Sequence, residues 1–275
     1  MRTRRQRLGQ HFLHDDRTAR AIVAALDAEP DRVVEIGPGR GALTRILIER
    51  FGQVAAVELD PDLAAMLPNR LGRPAGLEVL RLDAVTADLD AIARGGRWQV
   101  AANLPYSVGT AIVRRLLARP DLFSTLVVMV QLEVAQRLVA PPGASARGLL
   151  SVEAEARAAA ELLFTVAPRC FEPPPRVTSA VVRMALRPPP APGGGLERAL
   201  AIAARAFTHR RKTLANALAG SAPPVEIAAA SKAGAIAATA RPQDLALRDW
   251  LALAGALPAD APRRARARRA REAGA

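Results

Sequence analysis

Short β-branched or apolar runs alternate with helix-like stretches through the first two-thirds of this chain, and no other feature constrains its fold as much. The runs Arg32–Ile36, Val54–Leu59, Leu77–Leu82, Trp98–Ala102 and Leu126–Val130 are bounded by Gly, Pro, Asp or Asn and read as strands. Helical patterns lie between them over Arg17–Leu26, Ala42–Arg50, Asp62–Arg70 and Thr110–Ala118. Parallel strands need long crossovers, so a strand–helix–strand series predicts an α/β domain with a parallel sheet covered on both faces. Leu162–Val166 and Ala180–Leu186 read as two further strands, with Pro173-Pro174-Pro175 between them, and predict an antiparallel hairpin finishing the sheet.

A Pro/Gly linker over Pro188–Gly195 marks the predicted domain boundary. Beyond it, Leu196–Ala219 and Ile227–Ala238 read as helices and Pro242–Ala254 as a further amphipathic segment, so the second domain is expected to be small and all-α. The predicted organisation is a sheet domain over residues 1–187, a helical domain over 196–258 and a basic, disordered tail over 259–275. Pro141–Gly148, which has no acidic residue, is expected to be a flexible surface loop.

The first main strand runs into Glu35-Ile36-Gly37-Pro38-Gly39-Arg40-Gly41. Glycine lets such a turn take positive φ and lets its backbone approach a ligand closely. Glu58 ends the next strand, nineteen residues after Gly39, near the spacing of a carboxylate that holds ribose hydroxyls. Asp83 follows the third strand. Both acids fall at the C-terminal edge, where open parallel sheets bind ligands; the plain alternative is a solvated carboxylate ending a strand. A nicotinamide fingerprint spaces its glycines Gly-x-Gly-x-x-Gly, whereas here Gly41 comes one place early. That spacing, with the preceding glutamate, resembles S-adenosylmethionine-dependent methyltransferases, which implies that Asp83 accepts from the adenine amine of the cofactor.

Directly after Trp98–Ala102 stands Asn103-Leu104-Pro105-Tyr106. Pro105 pushes Leu104 into extended geometry and so aims its carbonyl. Asn103 adds a side-chain carbonyl. Two acceptors suit an exocyclic amine on a nucleobase, because taking both N–H bonds localises a lone pair otherwise delocalised into the ring. Tyr106 offers a flat face to an unstacked base. Aromatic residues are only 3% of the chain and Tyr106 is its one tyrosine, which argues against core filler. The alternative is an ordinary strand-to-turn junction.

A net charge of +13 and a pI near 11.4 call for a polyanionic partner. Residues 1–14 carry Arg2, Arg4, Arg5 and Arg7 without an acid, and residues 259–275 carry six arginines against Asp260 and Glu272. Such ends serve equally as solubilising extensions or as RNA contacts. His209-Arg210-Arg211-Lys212 lies within a helical pattern and reads as a surface that tracks phosphates. No apolar run approaches the roughly 18–20 residues of a membrane span, and the basic start has no apolar stretch behind it, so no secretory signal is expected. Cys170 stands alone and the three histidines are scattered, so neither a disulfide framework nor a metal site is expected, and the composition fits a reducing cytoplasm.

Taken in order, these motifs resemble the bacterial small-subunit rRNA adenine N6-dimethyltransferases, the KsgA type, over roughly residues 5–255. The blocks are Leu8-Gly9-Gln10-His11-Phe12-Leu13, Glu35–Gly39, the Asn-Leu-Pro-Tyr quartet, Phe171-Glu172-Pro173-Pro174-Pro175-Arg176-Val177 with Ser179–Val182, and Ala206–Asn216. The resemblance implies a Rossmann-like methyltransferase sheet as catalytic domain, an RNA-binding helical domain with Arg210, Arg211 and Lys212, and S-adenosylmethionine as cofactor. It implies that His11, Leu13, Gly37, Gly39, Glu58, Asp83 and Asn103 hold the cofactor and that Asn103, Leu104, Pro105 and Tyr106 act on the amine. Tyr106 and Phe171 would sandwich the target adenine; the alternative for Phe171 is packing under its Pro-rich turn. The implied substrate is a pair of adjacent adenosines in the 3′-terminal hairpin of 16S rRNA, in an assembling small subunit, acted on by a monomer. Two readings compete: an Erm-type enzyme acting on 23S rRNA, and a ribosome-assembly factor that keeps the fold without catalysis. The chain departs from the family at His11, where Asn is usual, and at Ser107-Val108-Gly109, where Asn-Ile-Ser is usual.

Overall fold

The computed structural model describes residues 11–188, 190 and 194–258. The expected basic tail and the first ten residues, with Leu8, Gly9 and Gln10 of the opening motif, lie outside the described residues. Among the described residues, nine strands form two sheets: β1 (Phe12–Leu13), β2 (Arg32–Ile36), β3 (Gln53–Glu58), β4 (Leu77–Arg81), β5 (Trp98–Asn103), β6 (Phe123–Gln131), β7 (Ala158–Val166), β8 (Phe171–Glu172) and β9 (Ser179–Leu186). The large sheet has the order β4-β3-β2-β5-β6-β9-β7, and β1 pairs with β8 in a separate two-stranded ribbon. Its first five strands run parallel, while β9 is antiparallel to both β6 and β7. The chain therefore finishes the sheet by inserting its last strand between the two before it.

Burial explains the strand sequences. After their first residues, Arg32 and Gln53, the central strands β2 and β3 are buried and read as apolar runs, interrupted only by Glu35 and Glu58. The edge strand β7 alternates buried and exposed positions over part of its length instead. Helices Asp16–Ala24, Thr44–Arg50, Pro61–Arg70 and Gly109–Leu117 fall close to the predicted ones. Two of them start on side-chain caps: Asp15 accepts from the Thr18 amide, and Asp60, followed by Pro61, accepts from Asp62 and Leu63.

The chain divides into two units. One holds the described residues up to Gln136 together with Arg157–Pro188; the other holds Arg137–Ala156 and the described residues after 188. Residues 137–156 thus fold with the C-terminal helices, whereas the sequence placed them in the sheet domain. Within the helical unit, Val152 and Ala156 of the helix Leu149–Arg157 join a core with Leu196, Ile202, Leu214 and Trp250. The long helix expected over Leu196–Ala219 is interrupted: Gly195–Phe207 and Leu214–Ala217 are separate helices. His209, Arg210, Arg211 and Lys212 consequently sit on the turn between them rather than on a helix.

The Pro141–Gly148 loop also departs from expectation, because Arg147 is 1% exposed and anchors it. Its guanidinium donates to the carbonyls of Ala140 at 2.8 Å and Leu245 at 3.1 Å, and pairs with Glu155. The second oxygen of Glu155 accepts from the Leu247 amide at 3.1 Å. One buried cation therefore ties the loop to the helices Leu149–Arg157 and Leu247–Ala256. Arg147→Ala is expected to destabilise the helical unit by about 3 kcal/mol, because it removes the buried donor to the Ala140 and Leu245 carbonyls and the cation paired with Glu155. Urea denaturation checks this; an unchanged midpoint would contradict the anchoring role.

Candidate active site

The C-terminal ends of β2, β3, β4 and β5 meet around a cavity of about 330 Å³. It is lined by Gly37 and Gly39 after β2, Glu58 and Leu59 at β3, Leu82 and Asp83 after β4, and Asn103 to Tyr106 after β5, with His11 beside β1. Residues as far apart in the chain as His11 and Tyr106 thus share one wall system, as the sequence leads one to expect of His11, Gly37, Gly39, Glu58, Asp83, Asn103, Leu104, Pro105 and Tyr106.

The glycine turn has the conformation its sequence predicts, with φ of +72° at Gly37 and +55° at Gly39. A side chain at Gly39 would also put its Cβ 2.9 Å from the Phe12 ring, so backbone approach there requires glycine. The Gly39 amide donates to one oxygen of Glu58 at 3.1 Å, and the Asp60 amide donates to the other at 2.8 Å. Glu58 is thereby fixed on the cavity wall. A carboxylate offers about four lone-pair positions, so two remain for hydroxyl donors. Burial raises its pKa above the ordinary carboxylate value, with the backbone bonds from Asp60 and Gly39 opposing. Asp83 accepts from the Val85 amide through Oδ1 at 2.8 Å and lines the cavity.

Asn103 is oriented by a single bond. Its Nδ2 donates to the His11 carbonyl at 3.0 Å, and since only the NH₂ end of an amide can donate, Oδ1 is the end left for a ligand. The family departure at residue 11 leaves this bond intact, because the acceptor is main chain. The Leu104 amide donates to the Met129 carbonyl at 3.1 Å, while the Pro105 carbonyl accepts from Val108 and Gly109 as the next helix begins. The Leu104 side chain is buried, so the residue presents its backbone to the cavity. Tyr106 is half-buried. Its hydroxyl bonds the Ser179 hydroxyl at 2.7 Å, and burial pushes the phenol above its usual pKa while that bond opposes the shift. The His11 ring lies 5.4 Å from the Tyr106 ring at a 34° tilt. His11 Nδ1 is 2.7 Å from the Pro173 carbonyl, an acceptor, so Nδ1 carries the proton.

Two expected site residues are absent from the lining of this cavity, although Leu13 lines a smaller pocket with Gly37, Gly39 and Asn103. Phe171 is 3% exposed and packs in the core with Leu13, Val166 and Val181, under its Pro-rich turn. Leu13 pairs with Phe171 across β1 and β8 and is buried in the same cluster. Neither lines the 330 Å³ cavity. Conversely, sequence reasoning misses Leu59 and Leu82, which are 47% and 37% exposed although leucine favours burial. Both project from strand ends beside an acid and give the cavity apolar walls. Among the described residues, no group of three or more His, Cys, Asp or Glu side chains could hold a metal, and no helix is long and apolar enough to cross a membrane.

Behind the glycine turn, Glu35 is 1% exposed and its Oε2 has no hydrogen-bond partner among the described residues. Burial pushes its pKa up to about 8; Thr44 beside it opposes the shift and the Glu58 carboxylate adds to it. The folded protein therefore holds this proton more tightly than the unfolded chain, whose pKa is 4.5. The stabilisation is complete below the unfolded value and is lost as pH rises through about 8. Wild type is expected to lose stability across that window by up to about 1.4 kcal/mol per pH unit relative to Glu35→Gln, which has no such proton. Denaturation midpoints from pH 5 to about 8.5 check this; parallel profiles for the two proteins would contradict it.

The family model for "Ribosomal RNA adenine dimethylase" matches residues 1–257. The chain is 41% identical to "Ribosomal RNA small subunit methyltransferase A" of Methylococcus capsulatus, covering 90% of this chain and 96% of the relative. It is 43% identical to the protein of the same name from Bordetella petrii, covering 93% and 98% respectively. Among solved structures, the 23S rRNA methyltransferase ErmE is similar with a TM-score of 0.72 and 30% identity, over 90% of this chain and 99% of that one. A dimethyladenosine transferase from Plasmodium falciparum, at 21% identity and a TM-score of 0.71 over 90% and 99%, shares the fold.

Proposed function

The chain belongs to the ribosomal RNA adenine dimethylase family, and from that premise we propose that its cavity dimethylates the N6 amine of two adjacent adenosines in the 3′-terminal hairpin of 16S rRNA. The enzyme is an S-adenosylmethionine-dependent rRNA methyltransferase, and ribosomal RNA is its substrate. One observation carries the reading most directly: the Asn103 amide, held by the His11 carbonyl with Oδ1 outward, shares a cavity with Glu58 and Asp83. An acceptor for an amine and a cradle for a nucleoside cofactor are thus side by side.

The residues fit the cofactor chemically. Glu58 has lone pairs left for ribose hydroxyls, Asp83 is an acceptor for an exocyclic amine, and Leu59 and Leu82 offer apolar faces to a purine. Gly37 and Gly39 keep the turn after β2 free of side chains at the point of approach. When bound, S-adenosylmethionine supplies an activated methyl group and its own neutral leaving group. The protein's part is positioning and polarisation.

Asn103 Oδ1 and the Leu104 carbonyl accept the two N–H bonds of the target amine, drawing its nitrogen toward tetrahedral geometry and localising the lone pair. A neutral amide does this without adding charge beside Glu58 and Asp83. Tyr106 supports the base on its ring face, and the Ser179 bond fixes that ring. A monomethylated amine keeps one N–H, so one of the two acceptors still orients it for a second transfer. No group in the quartet is needed as a base, because the methylated amine is acidic enough to release its proton to water.

The small-subunit substrate is favoured by relatives above 40% identity that carry that name over more than nine-tenths of their length. The second reading, action on 23S rRNA, rests on the ErmE likeness at 30% identity. The basic turn Arg210-Arg211-Lys212 on the helical unit contributes phosphate contacts in an assembling subunit, and the enzyme works as a monomer in the cytoplasm.

Asn103→Ala is expected to lower methyl transfer by about 10²–10³-fold, the usual cost of losing one preorganised polar contact to the reacting group. S-adenosylmethionine binding by calorimetry should weaken by less than about tenfold, one hydrogen bond's worth. Turnover near the wild-type rate would remove Asn103 from the mechanism.

A further inference from the structure

The wall that carries Asp83 lies at the edge of the large sheet. It follows β4, the edge strand, which has β3 as its one neighbour in the sheet. None of the residues of β4 is fully buried. The segment after it is a tight turn: the Asp83 carbonyl accepts from Thr86 at 3.0 Å and Ala87 at 2.7 Å, and its Oδ1 from Val85. These bonds shape the turn but do not attach it to the rest of the domain.

The turn is attached on one side through the Leu82 amide, which donates to the Glu58 carbonyl at 3.1 Å, and on the other by Arg115. This residue sits on the helix Gly109–Leu117, which begins just after the Asn-Leu-Pro-Tyr quartet. Its guanidinium donates to the Ala84 carbonyl at 2.7 Å and to the Ala87 carbonyl at 2.5 Å, bracketing the turn with both arms of the fork. The planar fork of a guanidinium loses little freedom when both arms bond. One helical turn earlier, Ile112 lines the cavity, as does Val108. The same helix therefore contributes to the cavity wall and holds the part of it that carries Asp83.

We propose that Arg115 is a positioning residue for cofactor recognition: it sets the position of the Asp83 carboxylate by gripping the carbonyls of Ala84 and Ala87. Through it the base of the cofactor is read at a distance fixed by the helix that adjoins the quartet. The inference rests on the reading of Asp83 as acceptor for the adenine amine. Arg115 does not line the cavity, so its loss acts on the amine-dependent part of binding. A merely structural tie would weaken all ligands alike.

The test uses full-length protein and two ligands: S-adenosylhomocysteine and its inosine analogue, in which an oxo group replaces the adenine amine. Dissociation constants are measured by calorimetry for wild type, Arg115→Ala and Arg115→Lys, with thermal melting to follow folding. Wild type should prefer the amine-bearing ligand by about tenfold or more, as one hydrogen bond to a charged acceptor warrants. Arg115→Ala should lose affinity for it by about tenfold while binding the analogue within about threefold of wild type, so the preference collapses. Arg115→Lys, with a single ammonium for two carbonyls, should fall between; if the alanine variant does not fold, this variant carries the test. A variant that keeps the wild-type preference, or weakens both ligands equally, overturns the proposal. No preference in wild type itself overturns the reading of Asp83, and the proposal with it.

Discussion

Parallel strands that pair in step also end in step, and here that register fixes what the cavity contains. Glu35 lies level with Ala56 on one side and Ala101 on the other, and Glu58 lies level with Arg81. The residues just beyond, Gly37, Leu59, Leu82 with Asp83, and Asn103, therefore emerge along a single edge. A slip of one residue between β2 and β5 would turn Asn103 to the opposite face of the sheet. The central strands resist such a slip because the close-packed side chains on both of their faces would have to repack. Stability of the sheet and alignment of the site are one constraint.

Given that edge, polar groups are oriented mainly by main chain. Glu58 is held by the amides of Gly39 and Asp60, Asn103 by the carbonyl of His11, and Tyr106 by the one side-chain partner among them, Ser179. Main-chain partners survive substitution of their own side chains, which is why His11 can stand where the family usually has asparagine. The same ribbon that supplies the His11 carbonyl pairs β1 with β8, so the first described residues are tied to the Pro-rich turn. An ion pair between Arg40 and Glu172 adds to that tie, but both side chains are largely exposed and it contributes little.

Much of this architecture is legible in the sequence alone. The core strands and the glycine turn announce themselves because parallel-sheet strands are short apolar runs and tight turns need glycine. Asn103 and Tyr106 stand out because a proline-containing turn and a residue type used once are poor core material. What stays hidden depends on distant main chain. Arg147 sits in a loop without acids and looks solvent-facing, yet its partners are two carbonyls and Glu155. Leu59 and Leu82 read as the last residues of strands, although β3 and β4 end one residue earlier and both side chains turn out into the cavity. Phe171 fits either of two roles by sequence, and the core beneath the Pro-rich turn takes it. Alanine-rich stretches such as Ala158–Ala160 conceal the start of β7, since alanine carries no periodic signal of burial.

The cavity stands or falls as a catalytic site on methyl transfer to adenosines of the small subunit. The most direct measurement is transfer from radiolabelled S-adenosylmethionine into under-methylated small subunits, with large subunits and duplex DNA as parallel substrates and product nucleosides resolved by mass. N6-dimethyladenosine is expected in small subunits alone. Label in large subunits instead, or tight subunit binding with no label anywhere, would contradict it.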